Sequence, residues 1–256
     1  MRAILPCLLS LVGVAAAVST AAIAAEQQLI EVRLYHLRSA EKADQFDRMM
    51  KNVGIAALKR AGVGPVGVLQ PVTQEGDEVL RVVILPFESP EAFAALSDRL
   101  VAEPEIWEAA QDYLLQDKSD PAYTRIEASL LKAFRGMPRL EVPSGGPARL
   151  FELRVYESFS EVKGKLKIEM FNDGEIELFK KVGLHAVFYG EALVAANLPN
   201  LTYLVVHENE AEQKAAWDRF LAHPDWDRLK TTERYQDTVS KIIKQMLVAT
   251  DYSEIK

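Results

Sequence analysis

Cysteine is almost missing from this chain of 256 residues, where Cys7 stands alone. One thiol closes no internal disulfide and builds no cysteine metal cluster. Histidine is scarce too. His36, His185, His207 and His223 are scattered, with no pair at i,i+2 or i,i+4 and no acidic triad beside them, so no metal site is expected. Basic clusters are lacking, and a formal net charge of −7 offers nucleic acid no electrostatic footprint. Gly62-Val63-Gly64-Pro65 does not match a dinucleotide or phosphate loop, and no Gly-x-Ser-x-Gly elbow occurs. No cofactor is predicted.

Long apolar runs are also missing, with one exception at the start. Met1-Arg2 carries a positive charge, Leu5 to Ile23 is mostly apolar or small, and Ala22-Ile23-Ala24 fits a small-x-small cleavage site before Glu26-Gln27-Gln28. That succession predicts a secretory signal peptide over residues 1–25 and a secreted or periplasmic protein with no transmembrane span after cleavage. Ala, Val, Ser and Thr dominate the later part of the run, which argues against a retained anchor. A single Arg argues against a mitochondrial transit peptide. Cleavage would remove the only cysteine, which excludes thiol catalysis and leaves a core held by packing alone. A hydrophobic fraction of 49% is enough to build one.

What the chain does contain is a duplication. Leu29-Ile30-Glu31-Val32-Arg33-Leu34-Tyr35 recurs 121 positions later as Leu150-Phe151-Glu152-Leu153-Arg154-Val155-Tyr156, and Leu58 to Gly62 recurs at Phe179 to Gly183. Residues 26–135 form the first repeat and residues 148–256 the second. The Pro- and Gly-rich stretch 136–147 reads as a linker. Each repeat alternates in its first strand, then shows helical spacing up to Gly62 or Gly183, then two apolar runs, a second helix and a last strand. The order β-α-β-β-α-β is ferredoxin-like, with helices on one face of an antiparallel sheet. The bare face needs a cover, and the second copy supplies one. The expected fold is therefore α+β: tandem ferredoxin-like βαββαβ repeats closing an intrachain α/β barrel, an internal pseudo-dimer.

Met170-Phe171-Asn172-Asp173-Gly174-Glu175, Val187-Phe188-Tyr189-Gly190-Glu191, Leu198 to Tyr203, Pro224-Asp225-Trp226 and Asp251-Tyr252-Ser253 follow one another in the second half. In that order they resemble the NIPSNAP family, clearly over residues 150–256 and loosely in the first half. The resemblance implies a dimeric α/β barrel fold. It implies no single activity, because the wider superfamily includes haem-degrading monooxygenases, other oxygenases, isomerases and proteins without known catalysis. Animal relatives are associated with mitochondria and mitophagy signalling; the secretory segment departs from that, and those partners are not carried over.

The candidate ligand-binding residues are Arg33, Tyr35, Glu152, Arg154, Tyr156, Asn172, Glu175, Tyr189, Glu191 and Tyr203. Glu31, Arg33 and Tyr35 share one strand face, as do Glu152, Arg154 and Tyr156, because side chains alternate with period two. These faces are expected to point away from the helices, into the space between the sheets, with Arg33 and Arg154 near the pseudo-twofold axis. They serve either as a Glu–Arg network docking the repeats or as a polar lining for an anionic or carbonyl-bearing ligand. Asn172 and Glu175 read as a kink around Gly174, with pocket groups as the alternative. Tyr189, Glu191 and Val187 are expected on one strand face beside Tyr203, and Trp107, Trp217 and Trp226 in the core. Three functions stay open: binding of a small molecule or a protein partner, oxygenase or isomerase chemistry on a substrate enclosed in the barrel, and a structural role in the cell envelope.

Overall fold

Every-second-residue apolar spacing makes strands and every third or fourth makes helices, so each half of the chain has to change period several times. The computed structural model describes residues 26–74, 76, 78–144 and 149–256; the signal segment expected over 1–25 lies outside them. The first half runs β1 (Leu29–Leu37), α1 (Ala40–Met49), α2 (Ile55–Arg60), β2 (Gly67–Pro71), β3 (Val79–Phe87), α3 (Pro90–Val101), α4 (Pro104–Leu114) and β4 (Arg125–Ala133). The second repeats it as β5 (Leu150–Glu157), α5 (Glu161–Met170), α6 (Ile176–Val182), β6 (His185–Val194), β7 (Asn200–His207), α7 (Glu210–Leu221), α8 (Pro224–Thr231) and β8 (Lys241–Ala249).

Local chemistry fixes the ends of these elements. Ser39, Ser89, Ser160 and Asn209 each accept a hydrogen bond from the backbone N–H three residues on, at 3.3, 3.2, 3.3 and 3.0 Å. Such N-caps satisfy a donor that the first helical turn leaves unpaired. Gly62 and Gly183 follow α2 and α6 with φ of +83°, the left-handed stop that a side chain resists. Between α1 and α2, and again between α5 and α6, a π-helical turn intervenes, at Met50–Gly54 and Phe171–Glu175. Such turns are rare inside helices.

The eight strands close into one barrel in the order β1-β3-β2-β8-β5-β7-β6-β4. Strand one of each half is central in its own four strands, as the ferredoxin-like order requires. The halves meet at two short seams, β2 with β8 and β4 with β6. Ile30, Leu69, Val82, Ile84 and Leu131 of the first half interlock with Phe151, Leu153, Phe188, Leu204 and Leu247 of the second inside the barrel. The segment after β8 clasps the first half. Tyr252 donates to Asp47 at 2.6 Å, Glu254 N–H donates to the Val66 carbonyl at 2.9 Å, and Ile255 is fully buried in the barrel core.

The barrel reverses one expectation. The Glu31-Arg33-Tyr35 and Glu152-Arg154-Tyr156 faces do not point between the sheets, and Arg33 and Arg154 do not sit on the pseudo-twofold axis. Ile30, Val32 and Leu34 line the barrel interior, while Tyr35 packs with the helices of its own repeat, against Phe46 and Tyr123. The physical reason is closure. Eight strands close around the interior, where Ile30, Leu69 and Ile84 are fully buried and Val32 and Leu34 partly so, and an unpaired charge in its dry part would cost several kcal/mol. A groove between two helices can hydrate a charge or pair it.

The described side chains that meet inside the barrel are apolar. Two smaller expectations change as well. A bulge between Ala186 and Phe188 turns Val187 into the barrel core, away from the face of Tyr189. Trp107 is 46% exposed on α4, not in the core, because α4 turns Ile106, Ala110 and Tyr113 inward and leaves Trp107 outside that face.

Candidate functional site

Beneath α5, α7 and α8, on the outer face of β5, the second repeat holds a cavity of about 760 Å³. Glu152, Arg154 and Tyr156 form its floor, Lys167 and Glu175 one side, and Trp217, Phe220 and Trp226 the other. β5 places the first three by alternation. α5 contributes Lys167, and the π-helical turn ends on Glu175, so that Lys167 Nζ donates to its carboxylate at 2.6 Å.

Arg154 is the hub. Its guanidinium carbon lies 4.1 Å from the centre of the Trp217 ring, its Nε lies 3.2 Å from Glu152 Oε1, and its Nη1 donates to Tyr203 Oη at 3.3 Å. The Nε approach is an electrostatic contact without hydrogen-bond geometry. Tyr203 in turn donates to Tyr156 Oη at 2.8 Å. Glu152 Oε2 accepts from Trp217 Nε1 at 2.8 Å and Gln213 Nε2 at 3.1 Å, and His207 Nε2 stands 3.3 Å away. The ammonium of Lys167 is set among the rings of Phe171, Trp226 and Tyr156 at 4.8, 5.5 and 5.9 Å.

These surroundings set the ionisation states. Burial opposes the charge on Glu152, but His207, the positive Arg154 and the donors Trp217 and Gln213 outweigh it and hold the carboxyl at about 2. Burial pushes Tyr156 up to about 12 against the pull of Arg154, so its hydroxyl keeps its proton at neutral pH. Tyr203 is pushed well above its ordinary range, chiefly by burial. Burial also raises Glu175, with Lys167 pulling the other way.

The first repeat serves as an internal control. Paired strand positions put Val83 opposite Arg33 but Tyr203 opposite Arg154, and Phe87 opposite Leu29 but His207 opposite Leu150. Counting from equivalent N-caps, Phe46 answers Lys167, Gly54 answers Glu175, Phe93 answers Gln213 and Ser97 answers Trp217. One scaffold thus appears twice, once packed with phenylalanine and valine and once with a buried polar network. The Glu–Arg pair and the strand tyrosine are common to both halves. Packing does not require Lys167, Glu175, Tyr203 or His207, since the first half is packed with other residues in their places.

Of the residues singled out from sequence, Glu152, Arg154, Tyr156, Glu175 and Tyr203 come together here. Arg33 and Tyr35 occupy the equivalent place in the first repeat, where Arg33 pairs with Glu31 at 2.8 Å and Tyr35 packs on Phe46. Asn172 faces the other way: it accepts from Gly136 N–H at 2.7 Å and donates to the Ile168 carbonyl at 2.8 Å, tying the linker to the helix. Tyr189 is buried in a cluster with Phe134, Phe171 and Phe179, and Glu191 pairs with Lys165 on the surface. Lys167, Gln213 and His207 were not anticipated. Trp217 and Trp226, expected in the core, line the cavity half-buried. The signal that finds them is the alignment of the repeats, since a lysine in the place of Phe46 breaks the apolar face of its helix.

Residues 151–254 match the NIPSNAP family model, and the residues that line the cavity all fall within that match. No curated protein matches the chain. Among solved structures, a monooxygenase-like protein of Fusobacterium nucleatum is similar at a TM-score of 0.56 and 10% identity, covering 88% of this chain and 93% of that one. Another from Lactobacillus acidophilus has a TM-score of 0.55 at 14% identity, covering 88% and 94%. An anthrone oxidase-like protein has a TM-score of 0.51 at 12% identity, covering 89% and 93%. At such identities the likeness is one of fold, the dimeric α/β barrel, here made by a single chain.

Proposed function

We propose that the NIPSNAP-like second repeat of this chain is a small-molecule-binding unit, with the cavity over β5 as its site and the first repeat as the scaffold that closes the barrel. The observation that carries this reading is the difference between the repeats. Both repeats carry a Glu–Arg pair and a tyrosine on the first strand, but the second adds a buried Lys167–Glu175 pair and Tyr203 where the first has Phe46, Gly54 and Val83, a costly addition beside that plainer solution. A cavity of about 760 Å³ lies within the range that holds small ligands. Its aromatic walls and few convergent polar groups are what a ligand site needs. Native mass spectrometry of the purified protein tests the reading: a retained molecule that Trp226→Ala releases supports it. A wild-type protein that retains nothing and binds no member of an aromatic fragment set overturns it.

A second reading, catalysis in the same cavity, draws on Glu175 and Tyr156, two titratable groups whose protonated forms burial favours. Turnover of a bound compound that Glu175→Gln abolishes would favour it. Export remains part of the proposal: residues 1–25 act as a signal peptide, and the exported protein begins near Ala25 or Glu26. The intact mass of exported protein tests this, and a full-length mass recovered only in detergent would refute it.

A further inference from the structure

The geometry points to an uncharged carbonyl compound with a flat aromatic body as the class of ligand this cavity takes, an inference that rests on the cavity being the binding site. The direction of the hydrogen bonds carries the first part. Arginine only donates, so the bond from Arg154 to Tyr203 at 3.3 Å uses a lone pair of the Tyr203 oxygen. Tyr203 is fully buried, and its own proton must find an acceptor; Tyr156 Oη, 2.8 Å away, provides it. Reversing that bond would strand the Tyr203 proton inside the protein. The Tyr156 proton is therefore left over, and Tyr156 is the member of the chain that lines the cavity. Arg154, Tyr203 and Tyr156 form a polarised series that ends in one donor, and its natural complement is an acceptor oxygen.

Charge decides which oxygen. Arg154 is matched by Glu152, and Lys167 by Glu175, so the buried charges cancel wherever the proton of the second pair resides. A carboxylate entering this site would bring a net buried negative charge, because both buried cations are already matched and Lys244, which lines the cavity without an ion pair among the described residues, is exposed. A ketone, quinone or amide carbonyl brings none, and it accepts a hydrogen bond from Tyr156, whose hydroxyl burial keeps protonated at neutral pH. The body of the ligand follows from the walls. Trp226 and Phe220 bring flat rings and Met170 a polarizable sulfur to the lining, suited to stacking and sulfur–aromatic contact.

Equilibrium dialysis of the purified protein against naphthalene, 2-acetylnaphthalene and 2-naphthoate tests this. The three share one ring system and carry no acceptor, a neutral carbonyl and a carboxylate. Acetylnaphthalene should bind roughly tenfold more tightly than naphthalene, the scale of one hydrogen bond from a buried donor, and more tightly than naphthoate. Tyr156→Phe should reduce its affinity to that of naphthalene. The wild-type ratios stand without any variant, and a melting curve shows whether Tyr156→Phe is folded. Equal binding of all three, or preference for naphthoate, overturns the ligand class while leaving the cavity as a site. An unchanged ratio in folded Tyr156→Phe overturns the role of the tyrosine series. If none of the three binds, the cavity reading itself fails.

Discussion

Replacing Lys167 by methionine separates a structural network from a dispensable one. The ammonium and the Glu175 carboxylate are 2.6 Å apart with side chains only 5% and 3% exposed. Removing one partner of such a pair leaves the other charge buried and unmatched, a loss of about 3 to 5 kcal/mol. A chain of this size loses about 2–4 °C in Tm per kcal/mol, so about 3 kcal/mol lowers Tm by roughly 6–12 °C. The loss should depend on pH in a defined direction. Burial raises the Glu175 carboxyl in the folded protein, and Lys167 restrains that rise. Without the lysine the folded value climbs further above the unfolded one, so the variant is least impaired at acid pH and worsens as pH rises through the folded value. Circular-dichroism melts at pH 5 and pH 8 should show a gap from wild type that widens at pH 8. Adding Glu175→Gln should return most of the loss, since a neutral amide needs no counter-charge. A Lys167→Met protein melting within 1 °C of wild type at pH 8 would refute the reasoning.

Other outcomes follow from the same geometry. Residues 26–140 expressed alone should self-associate or fold poorly, because β2 and β4 become open edges and the inner apolar face is uncovered; a monodisperse, cooperatively melting monomer by light scattering would contradict this. Glu152 is held at about 2, so the stability it contributes is present above the ordinary carboxylate range and lost as pH falls through that value. An acid titration followed by near-UV circular dichroism should lose that window in Glu152→Gln. Ile255→Ala should cost about 3 kcal/mol, because a fully buried residue in the barrel core leaves a cavity; an unchanged urea midpoint would show that the clasp is idle.

The fold was legible because periodicity survives duplication. Two copies of the Leu-x-Glu-x-Arg-x-Tyr type of strand, each followed by a capped helix and a Gly stop, leave few topologies, and the barrel is among them. Which face of that strand turns inward was not legible. Alternation says that Ile30, Val32 and Leu34 oppose Glu31, Arg33 and Tyr35, but both faces are covered, one by strands and one by helices. Only the closure of the barrel assigns the apolar set to its interior. The site was half legible. Glu152, Arg154 and Tyr156 announce themselves as charged and aromatic groups in a central strand. Lys167 and Gln213 look like ordinary surface residues of polar helices until Phe46 and Phe93 are laid beside them. Asn172 misleads because its word belongs to the π-helical turn, and the turn spends it on the linker.

Covalent fusion has a genetic consequence. In a symmetric dimer one codon specifies both members of every related pair, so a lysine introduced to build a site must be tolerated twice. Here Phe46 and Lys167 are separate codons, and each is free of the other. One half can keep a plain, well-packed interior while its sister accumulates groups that a stable fold would otherwise reject. The molecule is then asymmetric by inheritance, and the proposed binding would carry a stoichiometry of one ligand for each chain, because the first repeat has Phe46, Gly54 and Val83 in the places of Lys167, Glu175 and Tyr203.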